Sequence, residues 1–298
     1  MIRLAVRVLG GQAELALAEL LELAPAGVEE VQVANDTVEY AVYGAPGELP
    51  SLPDLKAAVG DALVEISTTE TDDDWQERWK RFHRPVLIEP PTSPPGRHRP
   101  VPSLHVRPPW VPASSRGGGT VEEIVIDPGQ AFGTGGHAST RLCLELLLEL
   151  ASLEPRAGAM IDVGTGSGVL AIAAARLGFA PVLGLDNEHQ SIEAARANAT
   201  TNGVKIAVRR FELRSQPLPW LGEVEAPAGS VVVLANLLAP LLLELAHTIP
   251  RAPAHLLAGG LLREQREEIA GAFVEELGMR ERGRRESGEW AAVWLAGP

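Results

Sequence analysis

The chain has 298 residues, with 26 Lys and Arg against 39 Asp and Glu, for a net charge of −13. That length accommodates two domains and a sizeable core. An acid excess of this size argues against a broad basic face for nucleic acid and favours a basic protein as partner. The lone cysteine, Cys143, leaves no intramolecular disulfide and suits a reducing cytoplasm. The first residues lack the basic and then apolar pattern of a signal peptide. No apolar run reaches the roughly 20 residues of a membrane span, and the most apolar stretch, 231–246, is interrupted by Asn236, Pro240 and Glu244. The expectation is a monomeric, cytoplasmic chain that engages neither membrane nor nucleic acid and needs no metal.

In chain order, residues 2–8 read as a strand, 12–23 as an Ala/Leu/Glu-rich helix, and 28–34 and 38–42 as strands joined by an Asn35-Asp36 turn. Residues 53–60 read as a helix and 63–67 as a strand. This β-α-β-β-α-β order predicts a ferredoxin-like α+β domain over 1–70. A connector over 71–119 follows. It opens with a helix in which Trp75, Trp79 and Phe82 share one face behind Asp72–Asp74, a face suited to packing between domains. Pro90-Pro91, Pro94-Pro95-Gly96, Pro108-Pro109 and Gly117–Gly119 then exclude helix and central strand, leaving short strands at 104–106 and 110–111.

From residue 120 to 298 the pattern changes. A strand at 121–126 leads into a Gly-rich loop, Asp127-Pro-Gly-Gln-Ala-Phe-Gly-Thr-Gly-Gly-His137, and a strongly apolar helix over 140–151 capped by Ser139 or Thr140. The loop, with Phe132, Gly133 and His137, reads as a lid or second wall of a site. Strands at 159–163, 181–185, 205–211, 231–235 and 254–258 alternate with helices at 169–177, 189–201, 237–247 and 263–277, and a hairpin over 279–284 and 290–295 closes the chain. Such alternation predicts a parallel, doubly wound α/β sheet with an antiparallel edge. Ligands in such sheets sit at the carboxyl ends of the strands, where Asp162, Gly164, Asp186 and Asn236 converge.

The organising stretch is Met160-Ile-Asp-Val-Gly-Thr-Gly-Ser-Gly168. A buried strand ends in an acid and three alternating glycines, then a helix whose N-terminus offers free N–H groups. Asp186 ends the next apolar run, placed to hydrogen-bond a ribose diol. The dinucleotide fingerprint needs glycine where Val169 stands, and Asp162 would repel a pyrophosphate but can hold a cation. An adenosyl ligand carrying an amino acid and a sulfonium therefore fits better than NAD(P).

These residues carry a resemblance. Asp162–Gly168, Asp186 and Ala235-Asn236-Leu237-Leu238 are similar to the successive motifs of Rossmann-type S-adenosylmethionine-dependent methyltransferases. The loop 127–137 with Thr140 resembles that of a narrower family, the ribosomal protein L-eleven methyltransferases, in which it reads D-P-G-x-A-F-G-T-G-x-H-x-T-T. Here Ser139 replaces the first Thr of that pattern, Leu237 an Ile, and Gly259-Gly260-Leu261-Leu262 a Ser-Gly-Ile-Leu turn. The resemblance implies a Rossmann-like catalytic domain behind a substrate-recognition domain, with S-adenosylmethionine as cofactor. Thr140, Gly164, Asp186 and Asn236 would contact it, with Phe132, Gly133, Asp162 and Gly166 completing the site.

The implied activity is methyl transfer to lysine or N-terminal amines of the large-subunit ribosomal protein L-eleven. The alternative is a related methyltransferase acting on another protein's lysine or on a small amine. A lysine amine, with its ordinary pKa of about 10.4, must lose a proton before attack, and burial assists this. Asn236 can offer its side-chain carbonyl to the amine, and His137 either accepts the proton or shapes the lid.

Overall fold

The structure, a computed structural model, describes residues 2–13, 16–17, 20, 28–33, 37–44, 49–50, 52–70, 83–91, 100–114, 120–128, 135–153, 158–219 and 231–298. Two compact units are distinguished, 1–82 and 83–298.

In the first unit, strands β1 (Ile2–Leu9), β2 (Glu29–Val33), β3 (Thr37–Gly44) and β4 (Leu63–Glu70) form a sheet of order β2-β3-β1-β4, antiparallel throughout. Helix α1 (Leu52–Val59) lies between β3 and β4, and residues 13, 16, 17 and 20 are helical between β1 and β2. Period-2 alternation explains the layering. Leu4, Val6 and Val8 of β1 join Leu20, Tyr40 and Leu55 in the core. On the opposite face, Arg3 and Arg7 pair with Glu39, and Arg7 also with Glu65. This is the expected ferredoxin-like topology. The Trp75–Phe82 helix lies outside the described residues.

The second unit is built on seven strands: β8 (Met160–Val163), β9 (Val182–Asp186), β10 (Ala207–Arg210), β11 (Val232–Asn236), β12 (His255–Leu262), β13 (Arg280–Ser287) and β14 (Trp290–Ala296). Their order is β10-β9-β8-β11-β12-β14-β13. The pairs from β10 to β12 are parallel, and β14 is antiparallel to both β12 and β13. β8, β9 and the first four residues of β11 are buried on both faces, as near-continuous apolar runs require in a covered parallel sheet.

One face carries α2 (Ala138–Leu153) and α3 (Val169–Arg176), the other α5 (Ala239–Thr248) and α6 (Arg266–Leu277); α4 (His189–Thr201) follows β9. Successive residues of β8 accordingly enter different cores, Met160 one and Ile161 the other. Helix α2 is buried nearly all round. Its polar stripe includes Glu145 and Glu149, both paired with Arg285 of β13.

The Pro-rich connector contributes structure to this unit. Strands β5 (Val86–Ile88), β6 (Ser103–Arg107) and β7 (Val121–Val125) form a separate three-stranded sheet. Its Ile88, Leu104, Val106 and Ile124 are in the same core as α2 and α3. The strand expected at 110–111 is instead a turn, because Pro108-Pro109 forces one and Val111 N–H donates to the Pro108 carbonyl at 3.1 Å. Among the described residues no helix is long and apolar enough to cross a membrane.

Candidate active site

The strand order reverses around β8, which has β9 on one side and β11 on the other. A crevice opens at such a switch point, at the carboxyl ends of the strands. Gly164, Gly166 and Gly168 make the turn out of β8 with φ of 73°, 51° and 84°, a region that side-chain-bearing residues disfavour. The N–H groups of Gly164 and Thr165 both donate to the Leu185 carbonyl, at 2.8 and 2.9 Å, which draws the turn onto the end of β9. The next residue, Asp186, is 9% exposed. Its Oδ2 accepts the Gly166 N–H at 2.8 Å and its Oδ1 the Glu188 N–H at 3.0 Å. The carboxylate is thus aimed by backbone donors, and each oxygen retains a lone pair for a ligand.

Asp162 is placed differently. It is 0% exposed and lies beneath the turn, outside the cavity lining. The Thr165 hydroxyl donates to its Oδ2 at 2.7 Å, while Oδ1 has no hydrogen-bond partner among the described residues. Burial pushes its pKa up to about 7; the Thr165 hydrogen bond and, more weakly, the Ala171 N–H work against this, and the Asp186 charge adds to it.

The opposite wall comes from β11, the start of α2 and the β13–β14 hairpin. Asn236, the last residue of β11, donates through Nδ2 to Thr140 Oγ1 at 3.2 Å; its Oδ1 is buried and without a partner among the described residues. A Cβ on Gly259 would lie 2.3 Å from Cys143 Sγ and 3.2 Å from that Oδ1, so the glycine makes room for both. Gly260, at φ 78°, admits the backbone of Leu237, whose carbonyl oxygen would be 2.4 Å from an added Cβ.

His137 packs edge-on against Trp290, ring centroids 4.6 Å apart. Its Nδ1 accepts the Ser139 N–H at 3.3 Å and lies 2.8 Å from Ser139 Oγ. A backbone N–H can only donate, so Nδ1 is the unprotonated nitrogen and the neutral ring carries its proton on Nε2. Burial lowers the pKa of His137, with Glu289 pulling the other way.

These elements enclose a cavity of about 540 Å³, a volume suited to a cofactor. It gathers His137, Thr140, Gly164, Gly166, Asp186 and Asn236 from the sequence expectation. Phe132 and Gly133 lie outside the described residues. Leu238, part of the motif that ends β11, also lines it, and sequence reasoning missed Trp290, Leu241 and Ser191. Leu238 is 67% exposed at this site, an unusual position for a large apolar side chain. A smaller cavity of about 70 Å³ shares Gly164, Asp186, Asn187, Leu237 and Leu241 and adds Phe211 and Glu212.

An aimed carboxylate placed for a diol and a glycine turn that a ligand can approach closely fit an adenosyl ligand bearing an amino acid, and the unmet Asn236 carbonyl stands open to an amine. Fold and site together define an S-adenosylmethionine-dependent methyltransferase. The chain belongs to the ribosomal protein L11 methyltransferase family: residues 52–296 match the family model described as Ribosomal protein L11 methyltransferase (PrmA).

Among its relatives, the ribosomal protein L11 methyltransferase of Geobacter sulfurreducens is 36% identical over 281 residues, covering 90% of this chain and 83% of its own. That of Shewanella pealeana is 33% identical over 272 residues, covering 89% and 83%. The crystal structure of a ribosomal protein L11 methylase from Lactobacillus delbrueckii subsp. bulgaricus is similar at a TM-score of 0.53 and 29% identity, covering 65% of this chain and 94% of that one.

Proposed function

We propose that this enzyme methylates amines of ribosomal protein L11, on lysine side chains, the N-terminus or both. In this reading it works as a cytoplasmic monomer in which residues 1–70 dock the basic substrate, 71–119 connect, and 120–298 carry out transfer. The names of its relatives support the substrate. The Asn236 carbonyl carries the amine chemistry: a buried acceptor left unmet costs about 1–3 kcal/mol, and an incoming amine is the donor that recovers it.

The cofactor supplies a methyl group already activated as a sulfonium. The protein's task is then to align and desolvate the nucleophile. Asp186 holds the ribose hydroxyls, Gly164 and Gly166 let the backbone approach, and Thr140 with the N-terminus of α2 receives the carboxylate of the methionine end. Asp162 supports the turn from below, while Phe132 and Gly133 complete the site through their loop's resemblance alone. Leu237, Leu238, Leu241 and Trp290 form an apolar surround that lowers the pKa of a lysine amine entering it.

Of the two roles open to His137, shaping the wall is the better supported. Its Nδ1 is engaged by Ser139 and its Nε2 carries the proton, so the neutral ring has no vacant lone pair for the amine's proton.

Incubating the enzyme and methyl-labelled cofactor with ribosomal proteins from cells lacking it, then locating label by mass spectrometry, tests the proposal. Label on amines of L11 is expected. Label confined to another protein or to small amines would assign the alternative substrate class.

A further inference from the structure

Helix α4 and the residue that caps its C-terminus carry a stripe of small and polar residues, Ser191, Ala195, Asn198 and the cap Asn202, at helical spacing along one face. Ser191 lines the cavity. Ala195 packs so closely on the glycine turn that a Cβ on Gly168 would be 3.1 Å from its Cα. The two asparagines then reach backbone far away in sequence. Asn198 donates through Nδ2 to the Ser167 carbonyl at 2.8 Å and accepts the Asp127 N–H on Oδ1 at 3.0 Å. Asn202, one turn later, clamps the N–H and carbonyl of Val125 at 2.8 and 2.7 Å.

The two clamps differ in what they join. Asn202 ties α4 to β7. Asn198 ties the turn Gly164–Gly168, one side of the cofactor cavity, to Asp127, just past the end of β7. We propose that Asn198 is a positioning residue for the cofactor, a pin that holds the glycine turn of the cavity in place against the chain at Asp127. A short amide suits this place because it presents one donor edge and one acceptor edge in a rigid plane. Aspartate lacks the donor, glutamine is a methylene too long, and alanine gives up both bonds at a residue that is 3% exposed.

Calorimetric titration of the full chain with S-adenosylhomocysteine tests this, with Asn202→Ala as the control that removes a comparable clamp from the same helix face. Asn198→Ala should raise Kd at least tenfold and raise KM for S-adenosylmethionine with kcat at saturation within threefold. Asn202→Ala should lose thermal stability yet keep Kd within twofold of the wild type. If Asn198→Ala does not fold, Asn198→Asp, which retains the bond to Asp127, is read in the same way. An unchanged Kd in the Asn198 variant, or an equal rise in the Asn202 variant, would overturn the assignment. Neither result bears on which protein is methylated, since the titration contains no methyl acceptor.

Discussion

The two sides of the cavity each bury an acceptor oxygen without a well-formed hydrogen bond among the described residues, Asp162 Oδ1 under the glycine turn, where only the Ala171 N–H acts on the carboxylate besides Thr165, and Asn236 Oδ1 at the end of β11. The consequences differ with the chemistry of the group. A carboxyl can answer a missing partner by taking a proton, and Asp162, with its pKa pushed up to about 7, does so near neutrality. An amide cannot titrate, so Asn236 is answered only by a donor brought from outside. Elsewhere on the turn side the polar groups are committed within the protein: Asp186 to two backbone N–H groups, Thr165 to Asp162, Asn198 to Ser167. That side is organised before any ligand arrives, which suits the invariant cofactor. The other side keeps an unmet carbonyl among apolar neighbours, which suits a transient amine.

The largest effect should come from Asp162→Asn. The folded protein retains this proton between about pH 4 and pH 7, where the unfolded chain has given it up. Stability is therefore lost as pH rises through that window, by about 4 kcal/mol when complete, at roughly 1.4 kcal/mol per pH unit. The neutral amide removes this cost. Chemical denaturation should find Asp162→Asn more stable than the wild type at pH 8, the gap closing towards pH 4; a gap independent of pH would show that Asp162 does not answer its burial by protonation.

Next, Asn236→Ala should lower kcat/KM for the protein substrate roughly 100-fold, in keeping with the cost of losing a buried hydrogen-bond partner. The Kd of S-adenosylhomocysteine should change much less. An equal loss in both would place Asn236 on the cofactor side and dissolve the contrast between the walls. Asp186→Ala should do the reverse, weakening cofactor affinity by about 1–3 kcal/mol through lost charged hydrogen bonds; unchanged affinity by calorimetry would refute its assignment to the ribose.

The smallest effect concerns the packing behind Asn236. Gly259→Ser should cost about 1.5 kcal/mol by overpacking against Cys143, and Cys143→Ala in the same chain should recover most of it. A double-mutant cycle with no coupling would mean that the contact between these positions is relaxed elsewhere.

Much of this was legible in the sequence because it is local. The Gly164–Gly168 turn, the acid ending β9 and the Asn ending β11 each sit at the close of an apolar run, so the strand pattern alone brings them to one edge. Trp290 was not legible: it opens an ordinary hairpin strand, and only the antiparallel pairing of β14 with β12 carries it to the cavity. Asn198 and Asn202 read as two polar residues on a helix of mixed composition, since their partners at Asp127, Val125 and Ser167 are backbone groups that leave no mark in the sequence. The connector misled for a related reason. The short strand expected at 104–106 is β6, but β5, set between Pro85 and Pro90-Pro91, was not expected, nor was the part both take in burying the core.

Cys143 has one further consequence. It is the chain's sole thiol, fully buried on α2, and burial with the Asp162 charge beside it pushes its pKa far above the ordinary range. A thiolate-seeking reagent therefore reaches it only when the surroundings of α2 come apart. The rate of alkylation then counts excursions of the catalytic unit to open states, and the slowing of that rate by bound S-adenosylhomocysteine measures how tightly cofactor occupancy and global folding are linked. The residue thus serves as an intrinsic clock for breathing at the methyl-transfer site, with no label engineered in.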